Sequence, residues 1–307
     1  MPHSNIPDLA AYLSACKEDY ARCLDVLPVS IEIDGAPITF RFHYLKFTPD
    51  GVPMCDTLAE CLAKHVVDYC LFARRRADIE SLGYNREYMI REACGLFRKH
   101  PRSGEAGELL LYFLQETVLN APQLVAKMSL KDNPHAEVLG SDGIHGAWDS
   151  SSQILTLYFG ESKLYQNISA AMSEAFKSLK QFHENGLLQH ETPMVTTHFK
   201  YLDEDARRAL LKHIGGGSGT AGIKYCHTLL IGYDWNLFNK LDRTAPAELL
   251  QTFLVAYREK ALDWANLLKG HWNTFPRQDL GFEVFFLPFR SVQELRDVVI
   301  LKLKELS

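Results

Sequence analysis

The stretch Tyr158–Tyr165, YFGESKLY, follows Ile154-Leu155-Thr156-Leu157, and its reading decides the fold. Alternation and β-branching across Ile154 to Phe159 predict a strand that runs into a core. Glu161 and Lys163 then stand two positions apart, and residues i and i+2 of an extended chain leave the same face. Two charged heads side by side at the end of a core strand cost several kcal/mol unless they pair or hold a metal. The bland alternative is a surface ion pair on the polar face of an edge strand.

Working outward, AEVLGSDGIHGAWD (136–149) predicts a second strand and a turn, which sets Asp142 on the strand beside Glu161. Leu124 to Leu130 predicts a short strand before it, and Glu105 to Leu119 an amphipathic helix. Downstream, Asn167 to Glu184 predicts a long helix and Cys226 to Gly232 a fourth strand. The order is αβββαβ, extended by a helix (Ala247 to Leu268), a strand (Phe282 to Phe286) and a terminal helix (Val292 to Leu306). The fold expected is α/β with a mixed sheet.

Toward the N-terminus, residues 28–47 predict a hairpin turning at Asp34-Gly35. Asp56 to Ala73 predicts a helix capped by Asp56 and closed by Arg74, Arg75 and Arg76, whose charges suit a C-terminal dipole. Lys99 to Gly104 breaks periodicity and marks a seam. It divides the chain into an N-terminal accessory α/β region (1–103) and a principal domain (104–307).

Asp142 and Glu161 on one patch repel and desolvate each other, so one should protonate unless a cation joins them. Mg²⁺ suits such a patch, since it uses one or two carboxylates with waters and phosphate oxygens. A neighbouring lysine ammonium can then orient water or offset transition-state charge. That is an arrangement for hydrolysing phosphodiesters.

Bulk properties narrow the partners. The chain has 307 residues and a formal net charge of −5, so neutralising phosphates cannot by itself hold nucleic acid. Affinity for DNA then needs a local patch, bound metal or a partner protein. No apolar run reaches the roughly 20 residues of a membrane span, and the N-terminus lacks the pattern of a signal peptide. Seven scattered cysteines without a CxxC pair suit reduced thiols in a cytoplasm. GGGSGTAG (215–222) lacks the Gly-Lys-[Ser/Thr] ending of a phosphate loop and predicts a flexible connection, with amide contacts to a DNA backbone as the second reading.

An Asp followed by Glu-x-Lys on an αβββαβ core resembles the PD-(D/E)xK, restriction-endonuclease-like nucleases. The words GEAGELLLYFL (104–114), KMSLKDNPHAEVLGSDGIH (127–145) and LYFGESKLY (157–165) are similar to the HamA family, nuclease subunits of Hachiman antiphage defence systems. The likeness is densest from Gly104 to Lys180. It implies a Mg²⁺-dependent deoxyribonuclease, with Mn²⁺ as the alternative ion, working beside a helicase subunit, HamB. It assigns Asp142 and Glu161 to the metal, Lys163 to catalysis, and a helix-borne glutamate to Glu108, with Glu105 on the same helix face as the alternative. The main-chain carbonyl of Ser162 is a further ligand. Ser141 stands where the family motif has proline.

Around this set, His145 is a ligand, proton shuttle or DNA contact, or else satisfies a local backbone group. Gln166 positions water or phosphate, or caps a helix. Lys127, Lys131 and Lys224 are candidates for phosphate contacts, or solvated charges. The rival to an enzyme is a scaffold or nucleic-acid-binding adaptor on the same fold, its acidic patch structural.

Overall fold

In the computed structural model, which describes residues 6–33, 35–97, 104–130, 140–215 and 222–307, the run that begins at Ile154 stays extended through Tyr165. Seven strands are described: β1 (Leu24–Val26), β2 (Ile38–Leu45), β3 (Gln123–Val125), β4 (Gly143–Asp149), β5 (Ile154–Tyr165), β6 (Ile223–Asp234) and β7 (Gly281–Phe289). They form one sheet in the order β1-β2-β7-β6-β5-β4-β3. β3, β4 and β5 are antiparallel, while β5, β6, β7 and β2 run parallel. The fold is α/β with a mixed sheet, as expected.

The helices before the site are α1 (Lys17–Cys23), α2 (Cys55–Lys64), α3 (Val66–Cys70), α4 (Ala73–Ser81), α5 (Arg86–Gly95) and α6 (Glu105–Leu119). After β5 come α7 (Ile168–Glu184), α8 (Leu187–Thr197), α9 (Glu204–Gly215), α10 (Leu237–Leu241), α11 (Pro246–Trp272) and α12 (Val292–Leu306). α7 begins where its Asn167 side chain accepts from the Ala170 amide. Such a cap satisfies one of the orphan amides of a helix start. β5, α7 and β6 make a parallel crossover, with α8 and α9 inserted before β6.

Several local expectations are corrected. Among the described residues of 28–47 there is no hairpin; β2 instead pairs antiparallel with the three-residue β1 through Leu24↔Leu45, and Asp34 lies outside the described residues. The helix expected over Asp56 to Ala73 breaks at His65 into α2 and α3. Arg74, Arg75 and Arg76 open α4 rather than close the preceding helix. Most of the expected seam, and six of the glycine-rich positions (216–221), lie outside the described residues.

Residues on both sides of that seam build one sheet. β2 lies parallel to β7 in the register Phe42↔Phe286, whose rings stack at 4.9 Å, and Arg41 pairs with Glu283 at 2.9 Å. The helix expected to be amphipathic, α6, is buried nearly all round, from Leu109 through Thr117. One side meets β5 and the other meets α1, α2, α3 and α12. An all-round apolar helix belongs inside a core, and Leu109 to Leu114 share one cluster with Leu58, Leu62, Leu230 and Leu295. Glu116 within it is tolerated because it accepts the amides of Ser14, Ala15 and Gln123.

Candidate active site

The register of β4 against β5 ends at Gly143↔Gly160, which leaves Asp142 one step beyond, level with Glu161. Three bonds hold it there. The Asp142 amide donates to the Gly160 carbonyl at 2.7 Å. The Ser162 amide and hydroxyl both donate to Asp142 Oδ2, at 2.7 and 2.8 Å. Asp142 therefore brackets Glu161 from both sides, and the Ser162 contacts engage only one carboxylate oxygen.

Glu161 is 7 % exposed, and Lys163 Nζ lies 2.5 Å from its Oε1. Burial, then the charge of Asp142, push the Glu161 carboxyl above the ordinary carboxylate range, while Lys163 and the Ser178 hydroxyl pull it back. Burial disfavours the Lys163 ammonium, but Glu161 beside it and Asp142 outweigh that and leave its pKa raised. The patch thus carries a buried carboxyl that a second carboxylate destabilises as an anion. A divalent cation relieves that conflict, and the donors suit a hard ion.

The two faces of β5 separate the remaining candidates. A Cβ on Gly107 of α6 would touch Ser162 Oγ and Leu164, and one on Gly160 would touch Leu111, so residues 160, 162 and 164 face α6. Glu161 and Lys163 face the α7 side, as does Phe159, whose ring meets Phe182 at 5.7 Å. Glu108 stands on the α6 side and accepts the Tyr69 hydroxyl at 3.1 Å. Both Glu108 and Asp142 raise the pKa of the buried Tyr69 phenol, after burial itself, so Tyr69 lies within reach of both charges.

Asp142, Glu161, Lys163 and Ser162 are brought together. Glu105 is buried in the first turn of α6. Among the described residues, no three His, Cys, Asp or Glu side chains converge as a metal cluster.

His145 is a core residue: it is buried, contacts the Ala121 carbonyl through Nδ1 at 2.8 Å, and burial lowers its pKa to about 3. Gln166 is exposed ahead of α7. The expectation of a phosphate contact is corrected for Lys127. Lys127 is 4 % exposed, its ammonium on Glu191 and the Ser141 carbonyl. Lys224 is exposed but paired with Thr156, about 17 Å along β5 from Glu161. Lys131 lies outside the described residues.

Tyr69, Ser178 and Glu191 were missed at the sequence level. Each lies on a helix whose apolar pattern says nothing of which polar side chain will meet the patch.

A family model, HamA, matches residues 22–303, nearly the whole chain. The chain belongs to the HamA family. Membership indicates a component of a Hachiman antiphage defence system. In this HamA protein the match includes both the patch around Glu161 and β1 and β2 on the far side of the sheet. No curated protein matches the chain. Among the described residues, no helix is long and apolar enough to cross a membrane.

Proposed function

We propose that this HamA protein is a Mg²⁺-dependent deoxyribonuclease of PD-(D/E)xK type, the cutting component of its defence system. The observation that carries the reading is Asp142 held level with a buried Glu161 whose neighbour across the same face is Lys163. Asp142 and Glu161, with the Ser162 carbonyl, would hold the ion, and a bound divalent ion supplies Lewis acidity and an acidified water. Lys163 keeps its positive charge because Glu161 is beside it, which suits it to offset charge building on a phosphodiester. Mn²⁺ fits the same oxygen donors.

The net charge of −5 supports a division of labour in which a helicase subunit delivers DNA. Reduced thiols and the lack of a spanning helix among the described residues suit work in the cytoplasm.

The test incubates purified chain with plasmid and Mg²⁺, with and without the helicase. Cleavage that Asp142→Ala and Lys163→Ala each abolish, in folded protein, is expected. A double variant that still cuts overturns the reading, and equal rates with and without the helicase overturn the partnership.

One observation favours the scaffold reading: Lys163 already pairs with Glu161, as a structural ion pair would. Melting temperature decides between them. A metal site gains stability from Mg²⁺ or Mn²⁺ and loses that gain in Glu161→Ala, whereas a scaffold does not respond.

A further inference from the structure

The residue before Asp142 is gripped at its amide, its hydroxyl and its carbonyl. The Ser141 amide donates to Glu191 Oε1 at 2.8 Å, and its hydroxyl to Glu191 Oε2 at 2.6 Å. From the other side, the Lys127 ammonium donates to the Ser141 carbonyl at 2.6 Å and to its hydroxyl oxygen at 3.3 Å. Lys127 and Glu191 also pair directly, and they are 4 and 0 % exposed. Lys127 opens the short 3₁₀ turn Lys127–Leu130 after β3, and Glu191 comes from α8. The backbone accommodates this grip at Gly140, whose φ is +115° and whose absent Cβ would fall on Glu191 Oε1.

A buried ion pair is weak support for stability, because desolvating two charges offsets their attraction, and apolar residues of similar volume often do as well. What this pair adds is geometric. It fixes Ser141 at the point where β4 has not yet begun, and among the described residues Asp142, the next residue, makes its hydrogen bonds with Gly160 and Ser162. We infer that the buried Lys127–Glu191 pair is a positioning device for Asp142, holding its carboxylate on the Ser162 amide, level with Glu161. Lys127 and Glu191 touch no reacting atom and act through Ser141. The consequence for metal binding rests on the reading under Proposed function; the clamp itself does not.

The test compares the full chain with the double variant Lys127→Met/Glu191→Met, which removes the ion pair without leaving a lone buried charge. Two measurements are made: amide hydrogen exchange at Ser162, with Ala147 inside the β4–β5 ladder as control, and the Mn²⁺ concentration giving half of the metal-dependent rise in melting temperature. The expected result is a folded protein whose Ser162 amide exchanges about ten-fold faster while Ala147 is unchanged. Its half-maximal Mn²⁺ concentration should rise about ten-fold, as for other residues that orient metal ligands.

Unchanged Ser162 exchange in the folded variant overturns the inference, whatever the metal does. A protein indifferent to Mn²⁺ in both forms, with Ser162 exchange still accelerated, upholds the clamp and overturns the metal-site reading instead. If the double variant does not fold, Ser141→Ala, which removes the hydroxyl contacts to Glu191, Lys127 and the Gly143 carbonyl, is measured the same way, and unchanged Ser162 exchange there overturns the inference.

Discussion

Ser162 bonds Asp142 twice, through its amide at 2.7 Å and its hydroxyl at 2.8 Å, both on Oδ2. Ser162 is the central residue of Glu161-Ser162-Lys163, so the middle of the charged triplet orients the carboxylate that complements its ends. Ser162→Ala keeps the amide bond and deletes the hydroxyl. It should cost about 1 kcal/mol in urea unfolding and raise the half-saturating Mn²⁺ concentration in the melting assay. An unchanged Mn²⁺ response shows that the hydroxyl does not orient Asp142 for the ion.

Gly140→Ala places a methyl where Glu191 Oε1 sits, at a φ of +115° that L-residues rarely adopt. The carboxylate cannot withdraw without releasing Ser141 and Lys127. A loss of about 3 kcal/mol is expected from strain and broken bonds together. Chemical denaturation measures it, and a loss below about 1 kcal/mol contradicts the packing described.

Lys200 is 1 % exposed, and among the described residues its ammonium has no hydrogen-bond partner, lying 5.4 Å from the Tyr112 ring centroid and 5.5 Å from that of Tyr201. Burial lowers its pKa to about 8, against an opposing pull from Glu116 and Asp68. Below pH 8 the ammonium is charged in both states and penalised only in the fold. Between pH 8 and the unfolded value of about 10.4 the folded protein sheds its proton first, so stability rises with pH by up to about 3 kcal/mol. Lys200→Met should therefore be more stable than the parent at pH 7, with the difference vanishing by about pH 10. Urea titrations at the two pH values decide it; a constant difference contradicts the account.

Glu116 accepts the amides of Ser14, Ala15 and Gln123 from inside α6. Glu116→Ala strands two buried donors and the half-buried Ser14 amide and should cost about 3 kcal/mol. Because Ser14 and Ala15 lie in the N-terminal segment, limited proteolysis should cut near residue 14 sooner in the variant. A cleavage pattern like the parent's would show that other contacts hold the segment down.

The parts legible in the sequence share one property: their partners are near in the chain. α6 spans Glu105–Leu119, as its apolar spacing predicts, and α7 (Ile168–Glu184) fills the span expected for it, although Asn167 rather than Gln166 caps it. The β3–β4–β5 meander and the approach of Asp142 to Glu161 follow from a short hairpin and the two-residue alternation of strands.

The amino-acid sequence alone thus determined the helix, three strands and helix from α6 to α7, though not α8 and α9 before β6, together with the strand face shared by Glu161 and Lys163 and the carboxylate opposite them. Tertiary structure alone decided the rest. It buried Lys127 against Glu191, 64 residues away, and set Tyr69 on Glu108, 39 away. It seated Arg41 against Glu283, 242 away, by placing β2 beside β7. The reason is physical. Propensity, capping and alternation act over a few residues, whereas a charged side chain's fate depends on which distant surface closes over it, and closure is a property of the packed chain.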